Sequence, residues 1–116
     1  MSTAYVVVAL IAVVANGLSG IAALLHLKQI LPAMAAAGVP ESWLTFPIGT
    51  LKVAGALGLL AGLFVPVIGT AAAIGLVLYF VCAIYTHVRA SDYSAQFVLA
   101  NGFLALNAAV LVLGPV

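Results

Sequence analysis

Four apolar runs, each about as long as a membrane span, take up most of this sequence. Crossing the roughly 30 Å hydrocarbon core of a bilayer takes about 20 helical residues. The runs cover residues 4–25, 47–65, 67–88 and 95–113, approximately. Only 4% of the residues are charged and 67% are hydrophobic, so the chain cannot build a water-soluble surface. We expect a single all-α transmembrane domain over residues 1–116, an integral membrane four-helix bundle embedded in the lipid bilayer.

The connections between the runs predict an up-down-up-down layout. Only a turn around "FVPVIG" separates the second and third runs, and "RASDYS" joins the third to the fourth. Connections this short make consecutive helices antiparallel neighbours. The first connection is longer, and Pro32 and Gly38 delimit a short interfacial segment that we predict at about 31–38. The first run lacks a preceding basic residue and is longer than a signal-peptide core, so we expect it to be a mature helix.

Small residues recur at four-residue steps within the runs, as in Ala54, Gly58 and Gly62 of the second run. Helices associate in lipid through close packing of such residues. The stripes predict helix contacts inside the bundle, and contacts between two copies in a homodimer are the alternative.

Every Lys, Arg, His, Asp and Glu falls at one side of the predicted bundle. These residues are His26, Lys28, Glu41, Lys52, His87, Arg89 and Asp92. Basic residues accumulate on the cytoplasmic flanks of membrane helices, which is one explanation of the asymmetry. The other is a functional site, in which His26, Arg89 and Asp92 form a polar cluster at the mouth of a pocket.

Several polar side chains lie deeper than a flank requires. Lys52 is about five residues into the second helix, roughly 7 Å along its axis. Its ammonium either extends to the interface or faces the bundle interior. Asn16, Asn101 and Asn107 also lie within the spans, and each amide needs a partner that lipid does not offer. Interhelical hydrogen bonds and a polar pocket are both open explanations.

The pocket hypothesis gives a set of candidate ligand-binding residues. Tyr79 belongs to this set because it precedes His87 by about two helical turns and is rotated from it by only about 80° around the helix axis. The candidates are Asn16, Lys52, Tyr79, His87 and Asn101. A funnel of this kind, open at the charged side, fits a lipid-like or quinone-like molecule.

Other classes of site are disfavoured. The net charge of +1 provides no basic patch for phosphates, so we expect no nucleic-acid partner. Cys82 is the only cysteine and cannot form an internal disulfide or a two-cysteine redox pair. The histidines lack neighbours at metal-ligand spacing, so no metal site is predicted. No standard catalytic constellation is present, and catalytic residues stay unassigned.

Residues 47–94 resemble the DoxX-like family of small four-helix bacterial membrane proteins. The resemblance lies in a Gly-rich second helix ending at Pro66 and an Ala-rich third helix closing in the pattern AxxxHxRAxD, which ends here in His87, Arg89 and Asp92. With "NGLSGIAALLHL" of the first helix, it covers nearly the whole chain. It implies a multi-pass protein of the bacterial cytoplasmic membrane. Relatives are described as membrane subunits of thiosulfate:quinone oxidoreductase or as partners of soluble redox or stress enzymes.

Three classes of function follow. We favour an accessory or binding subunit that holds a redox enzyme partner, or a quinone or other lipophilic small molecule, in a polar pocket near one leaflet. The first alternative is a stand-alone isomerase, cyclase or oxidoreductase that uses Lys52, His87 or Asp92 as acid or base. The second alternative is a scaffold or a transporter, although the sequence shows neither inverted repeats nor broken helices.

Overall fold

The computed structural model describes residues 1–115, so Val116, the last residue of the predicted domain, lies outside the described residues. The regular helices are α1 (Thr3–Leu24), α2 (Leu31–Ala36), α3 (Thr50–Ala61), α4 (Pro66–Arg89) and α5 (Ala95–Leu113). Short 3-10 turns at Lys28–Ile30 and Glu41–Leu44, and a wide π-type turn at Thr45–Gly49, belong to the connection between α1 and α3.

Four of these helices form the bundle. Helices α1, α4 and α5, and the stretch Glu41–Ala61 that contains α3, are long and apolar enough to cross a membrane. Helix α1 packs against α3 and α5, and α4 packs against the same two helices on the other side, which gives a ring of neighbours. No strand occurs between residues 1 and 115. The prediction of an all-α four-helix membrane bundle is confirmed.

Local chemistry explains where the helices begin and end. The Ser2 hydroxyl accepts a hydrogen bond of 3.0 Å from the Tyr5 backbone N–H and caps α1. A residue before proline avoids helical geometry, and Phe46 is accordingly extended (φ −145°, ψ 131°) before Pro47. Val65 is extended in the same way before Pro66. The second span was expected to be helical over 47–65, but α3 ends at Ala61 because the residues before Pro66 form a turn.

The end of the bundle that holds the α3–α4 turn is tightly packed, and we call it the closed half. A Cβ atom on Gly62 would lie 2.7 Å from the backbone N of Gly69, so only glycine allows this approach of the two helices. One turn earlier, a Cβ atom on Gly58 would lie 2.7 Å from the Cβ of Ala72. Gly58 and Gly62 therefore make contacts inside the bundle, as the small-residue stripe of the second run predicts, whereas Ala54, the third member of the stripe, is exposed.

The opposite end contains the long connection between α1 and α3, residues 25–49, which we call the connecting segment. Met34 of α2 and Leu44 are buried against Ala23 near the end of α1, and they form a small core separate from the main one. Because this core holds the connecting segment against α1, the segment occupies the charged end of the bundle. That end, which we call the open half, contains the cavity described next.

Candidate functional site

A cavity of about 550 Å³ occupies the open half of the bundle. Its wall combines the end of α1, the connecting segment, the start of α3, the second half of α4 and the first half of α5. The wall residues Leu78, Cys82 and Leu99 are exposed, so the cavity is open to the surroundings of the bundle. The lining is mainly apolar, and its polar or hydrogen-bonding side chains are those of Ser19, Trp43, Lys52, Tyr79, Cys82, Thr86, His87 and Gln96.

Lys52 is the charged group deep in this cavity. Its Nζ donates a hydrogen bond of 2.8 Å to the Ser19 Oγ of α1. A Cβ atom on the next residue of α1, Gly20, would lie 2.9 Å from the Lys52 Cβ, so a glycine here lets α3 approach α1 closely enough for the contact. The Lys52 side chain therefore faces the bundle interior, which is the second of the two alternatives given for it in the sequence analysis.

Three aromatic rings surround the Lys52 ammonium. Its Nζ lies 5.8 Å from the ring centroid of Tyr79 and 5.6 Å from those of Phe80 and Phe103. Phe80 stacks on Phe103 with centroids 5.1 Å apart, and Tyr79 meets Phe80 edge to face at 4.8 Å. A cation within about 6 Å of a ring centroid is attracted to the face of the ring. The arrangement stabilises a positive charge in an otherwise apolar wall.

Lys52 makes no ion pair within residues 1–115. The two ion pairs there join His26 to Glu41 at 3.5 Å and His87 to Asp92 at 2.9 Å. Both carboxylates thus have histidine partners, and the hydrogen-bond partner of the Lys52 ammonium is the neutral hydroxyl of Ser19. An ammonium has three donors, so Lys52 retains hydrogen-bonding capacity toward a bound molecule.

His87 and Asp92 form a second polar feature near the mouth of the cavity. The His87 Nδ1 donates to the Asp92 Oδ2 at 2.9 Å, and the Asp92 Oδ1 accepts from the Ser94 backbone N–H at 3.2 Å. The backbone turns back at Ser91 (φ 53°), and the Asp92 N–H donates to the His87 carbonyl at 2.8 Å. Hydrogen bonding from Ser94, and then from His87, holds the pKa of Asp92 below its ordinary value. His87 lines the cavity, and the carboxylate orients its ring.

Lys52 and the His87–Asp92 pair lie at different depths. The ammonium is at the level of Tyr79, which precedes His87 by eight residues, or about 12 Å along α4. A small polar head group therefore contacts one of these features and not both. The cavity has a cationic floor, an apolar wall and a polar mouth.

The other residues proposed for the mouth lie around it. The His26 Nε2 is 2.8 Å from the Thr45 hydroxyl, and with the Glu41 contact it ties the end of α1 to the connecting segment. Arg89 is exposed at the end of α4, and neither His26 nor Arg89 lines the cavity. Asp92 is also outside the cavity lining, and it acts on the mouth by its hydrogen bond to His87, which lines the cavity.

Asn16 and Asn107 bind each other at the centre of the bundle. The Asn16 Nδ2 donates to the Asn107 Oδ1 at 2.9 Å, and the reverse bond is 3.4 Å. Each amide also donates to a backbone carbonyl one turn earlier in its own helix, at 2.8 and 2.9 Å. Both side chains are fully buried, and their hydrogen-bonding groups are satisfied by each other and by the backbone. They join α1 to α5 and stand apart from the cavity lining.

Asn101 lies on the outside of α5. Its side chain is exposed and donates to the Phe97 carbonyl at 2.9 Å. Of the five ligand-binding candidates, the structure places Lys52, Tyr79 and His87 in the cavity wall, and Asn16 and Asn101 outside it.

Some cavity residues were not singled out from the sequence as part of the site. Ser19 is the direct partner of Lys52, and Phe80 and Phe103 complete the aromatic ring set. Trp43 of the connecting segment also lines the cavity. Ser19 carried one usable signal, since it follows Asn16 by three positions and is therefore on a neighbouring part of the same helix face. The phenylalanines carried none, because aromatic residues in a membrane helix are common.

The comparisons with known proteins agree with this architecture. The model of the DoxX-like family matches residues 7–113, nearly the whole chain. No curated protein and no solved structure matches the sequence. The four spans and this family match together describe a multi-pass integral membrane protein. On the extent of the match, the chain belongs to the DoxX-like family.

Proposed function

We propose that this protein binds a lipophilic small molecule inside the membrane and holds it as an accessory or binding subunit. The molecule places an oxygen-bearing head group against Lys52 and Ser19 and its apolar body against the aromatic and aliphatic wall. One observation carries the proposal: a lysine with a single neutral hydrogen-bond partner lies in a large apolar cavity. Intramembrane ionisable residues are costly, and they commonly mark ligand or ion sites.

The shape and chemistry of the cavity support this function. Its volume of about 550 Å³ is in the range of small-molecule sites, which are mostly apolar with few polar groups that fix orientation. A quinone-like head group has a flat ring that stacks on Tyr79 or Phe103 and a carbonyl oxygen that accepts from the Lys52 Nζ. Its prenyl or alkyl tail leaves through the open wall near Leu78.

Trp43 allows a direct binding test, because it is the only tryptophan of the chain and it lines the cavity. Decylubiquinone added to the purified protein in nanodiscs should quench its fluorescence saturably. Lys52→Met removes a charge-assisted hydrogen bond and should weaken binding about tenfold. Lys28→Met is the matched control, since Lys28 is exposed and outside the cavity lining. The affinity of this variant for decylubiquinone should equal that of the unmodified protein.

Quenching that rises linearly with quinone and is equal in both variants would contradict the proposal. It would show that the quinone meets Trp43 from the lipid without occupying a site.

The His87–Asp92 pair supports a second candidate, an enzyme that shifts a double bond in a lipophilic ketone. A neutral imidazole oriented by a carboxylate is a suitable general base. His87 would take a proton from the carbon next to the carbonyl and return it two carbons further along, so the double bond moves and nothing is consumed. We rank this second, because Lys52 lies about 12 Å deeper and would not reach the same carbonyl. A long-chain β,γ-unsaturated ketone should be converted by the unmodified protein and left unchanged by His87→Gln, with binding retained.

A further inference from the structure

Lys52 is the only Lys or Arg in the cavity wall formed by residues 1–115, and no carboxylate lines that wall. Asp92 is engaged by His87 near the mouth, and Glu41 is paired with His26 beyond the lining. The positive charge on the cavity floor therefore has no counter-charge of its own. Unpaired charges in a poorly solvated site are costly, and native structures usually pair them.

The surroundings of Lys52 partly compensate its positive charge. The ring centroids of three aromatic side chains lie within 5.8 Å of the Lys52 Nζ, and their faces attract a cation more strongly than a neutral amine. The Ser19 hydroxyl accepts one of the three ammonium protons, and the other two remain available toward the cavity. The site is thus built to hold a cation that still lacks an anion.

We infer that the bound molecule is a monoanionic amphiphile, an acid with one ionised head group and a long apolar body, whose head pairs with Lys52. This inference rests on the proposed function and narrows its ligand class. One cation matches one negative charge. The next candidates, Arg89 and Lys28, are exposed and outside the wall, so a doubly charged phosphate head would lack a second partner. The exposed aliphatic side chains Leu78 and Leu99 provide the passage for the hydrocarbon body.

The test compares an acid with its neutral ester, cis-parinaric acid and its methyl ester, in nanodiscs of zwitterionic lipid and neutral buffer. Both probes accept excitation energy from tryptophan, so Trp43 reports their binding, and empty nanodiscs give the background from lipid partition. The unmodified protein should bind the acid about tenfold more tightly than the ester, which corresponds to about 1.4 kcal/mol. In Lys52→Met the ratio of the two affinities should fall to about one.

Two further variants complete the test. Lys52→Arg keeps the cation and should keep the preference for the acid, and Lys28→Met should keep it unchanged. Where Lys52→Met does not assemble into nanodiscs, Lys52→Gln retains a donor for Ser19 and gives the same comparison. Saturable binding of the methyl ester by Lys52→Met, above the background of empty nanodiscs, shows that this variant is folded, so a ratio of about one then reports the loss of preference for the acid.

The outcomes separate the inference from the proposed function. Equal binding of acid and ester to the unmodified protein, or a preference that survives Lys52→Met, overturns the inference and leaves a lipophilic binding protein. If neither parinaric probe nor decylubiquinone binds saturably, the proposed function itself fails.

Discussion

The centre of the bundle and its open half treat buried polar groups in opposite ways. Between α1 and α5, Asn16 and Asn107 satisfy each other and leave nothing for a ligand. In the open half, Lys52 has one neutral hydrogen-bond partner and faces a cavity. Helices satisfy their own backbone in lipid, so separating them costs packing and no backbone hydrogen bonds. The contrast teaches that the bundle is tight where the two asparagines pair and hollow around Lys52. The tightly packed closed half follows neither pattern, since the buried Tyr5 hydroxyl there has no hydrogen-bond partner among the described residues.

The largest expected effect comes from adding one methyl group to the closed half. Gly62→Ala places a Cβ atom against the backbone of Gly69, which cannot move aside as a side chain can. We expect a loss of about 3 kcal/mol in the free energy of unfolding, the upper part of the usual range for overpacking.

Gly102→Ala is the matched control for this change. Its Cβ atom meets nothing within 4 Å, so the alanine should be neutral or slightly stabilising. Unfolding in mixed detergent micelles measures both variants. Equal stability of the two proteins would show that the Gly62–Gly69 contact does not hold the closed half together.

A smaller loss is expected from breaking the asparagine pair. Asn16→Leu leaves the Asn107 amide with only its own helix carbonyl, at an expected cost of about 1–2 kcal/mol. The double variant with Asn107→Leu should lose less than the sum of the two single losses, since neither amide is then left unpaired. Unfolding of all four proteins in the same micelles gives the coupling. Strictly additive losses would mean that the two amides contribute independently.

Acid should weaken the mouth of the open half through Asp92. The pKa of this carboxyl is lowered in the folded protein, so its stabilising contribution is complete above the unfolded value of about 3.9 and is lost as the pH falls through the lower folded value. Between pH 5 and 7 Asp92 should therefore contribute no pH dependence.

Thermal midpoints measured as a function of pH for the unmodified protein and Asp92→Asn check this expectation. The asparagine variant should lack the part of the acid-induced loss that occurs below about pH 4. Parallel curves for the two proteins would show that Asp92 has no partner in the fold that depends on its charge.

The smallest effect on stability is expected at Lys52, which gives the sharpest contrast with Asn16. Lys52→Met leaves no carboxylate unpaired and fills the space between the aromatic rings with an apolar side chain. The free energy of unfolding should stay within about 1 kcal/mol of the original, because replacing a buried charge by a hydrophobic residue is often neutral or stabilising. Micelle unfolding and probe binding are measured on the same sample. A loss as large as that of Asn16→Leu would mean that Lys52 supports the fold.

Much of the fold was predictable from the sequence, since a chain this apolar must place its runs as helices in lipid. What periodicity could not give is the length of α3. Pro47 and Pro66 lie three and five residues outside its ends at Thr50 and Ala61, because Thr45–Gly49 forms a wide turn and the residues before Pro66 form another. The hydrophobic run therefore extends further than the helix at Ala61.

The candidate site was predictable in part. Depth alone indicated Lys52, and spacing along α4 linked Tyr79 to His87. Six residues at 100° each place Asn101 about 120° away from Asn107, so the sequence predicts that the two amides lie on different faces of α5, but only the structure shows that Asn107 is the buried one. The hydrogen-bond partner of Lys52 could not be predicted, because a serine within a membrane helix packs equally well in many environments. Only the contact between α1 and α3 selects Ser19.

The shortness of α3 has a consequence for the lipid around the protein. Its regular part, Thr50–Ala61, rises about 18 Å, whereas α4 with 24 residues rises about 36 Å. Beside α3 the hydrophobic thickness thus depends on the connecting segment, a stack of short turns that adapts more easily than a continuous helix. Mismatch with the bilayer costs a fraction of a kcal/mol per Å, and that cost is concentrated next to the cavity. Acyl-chain length should therefore tune access to Lys52, with thicker bilayers straining the connecting segment and thinner ones relaxing it.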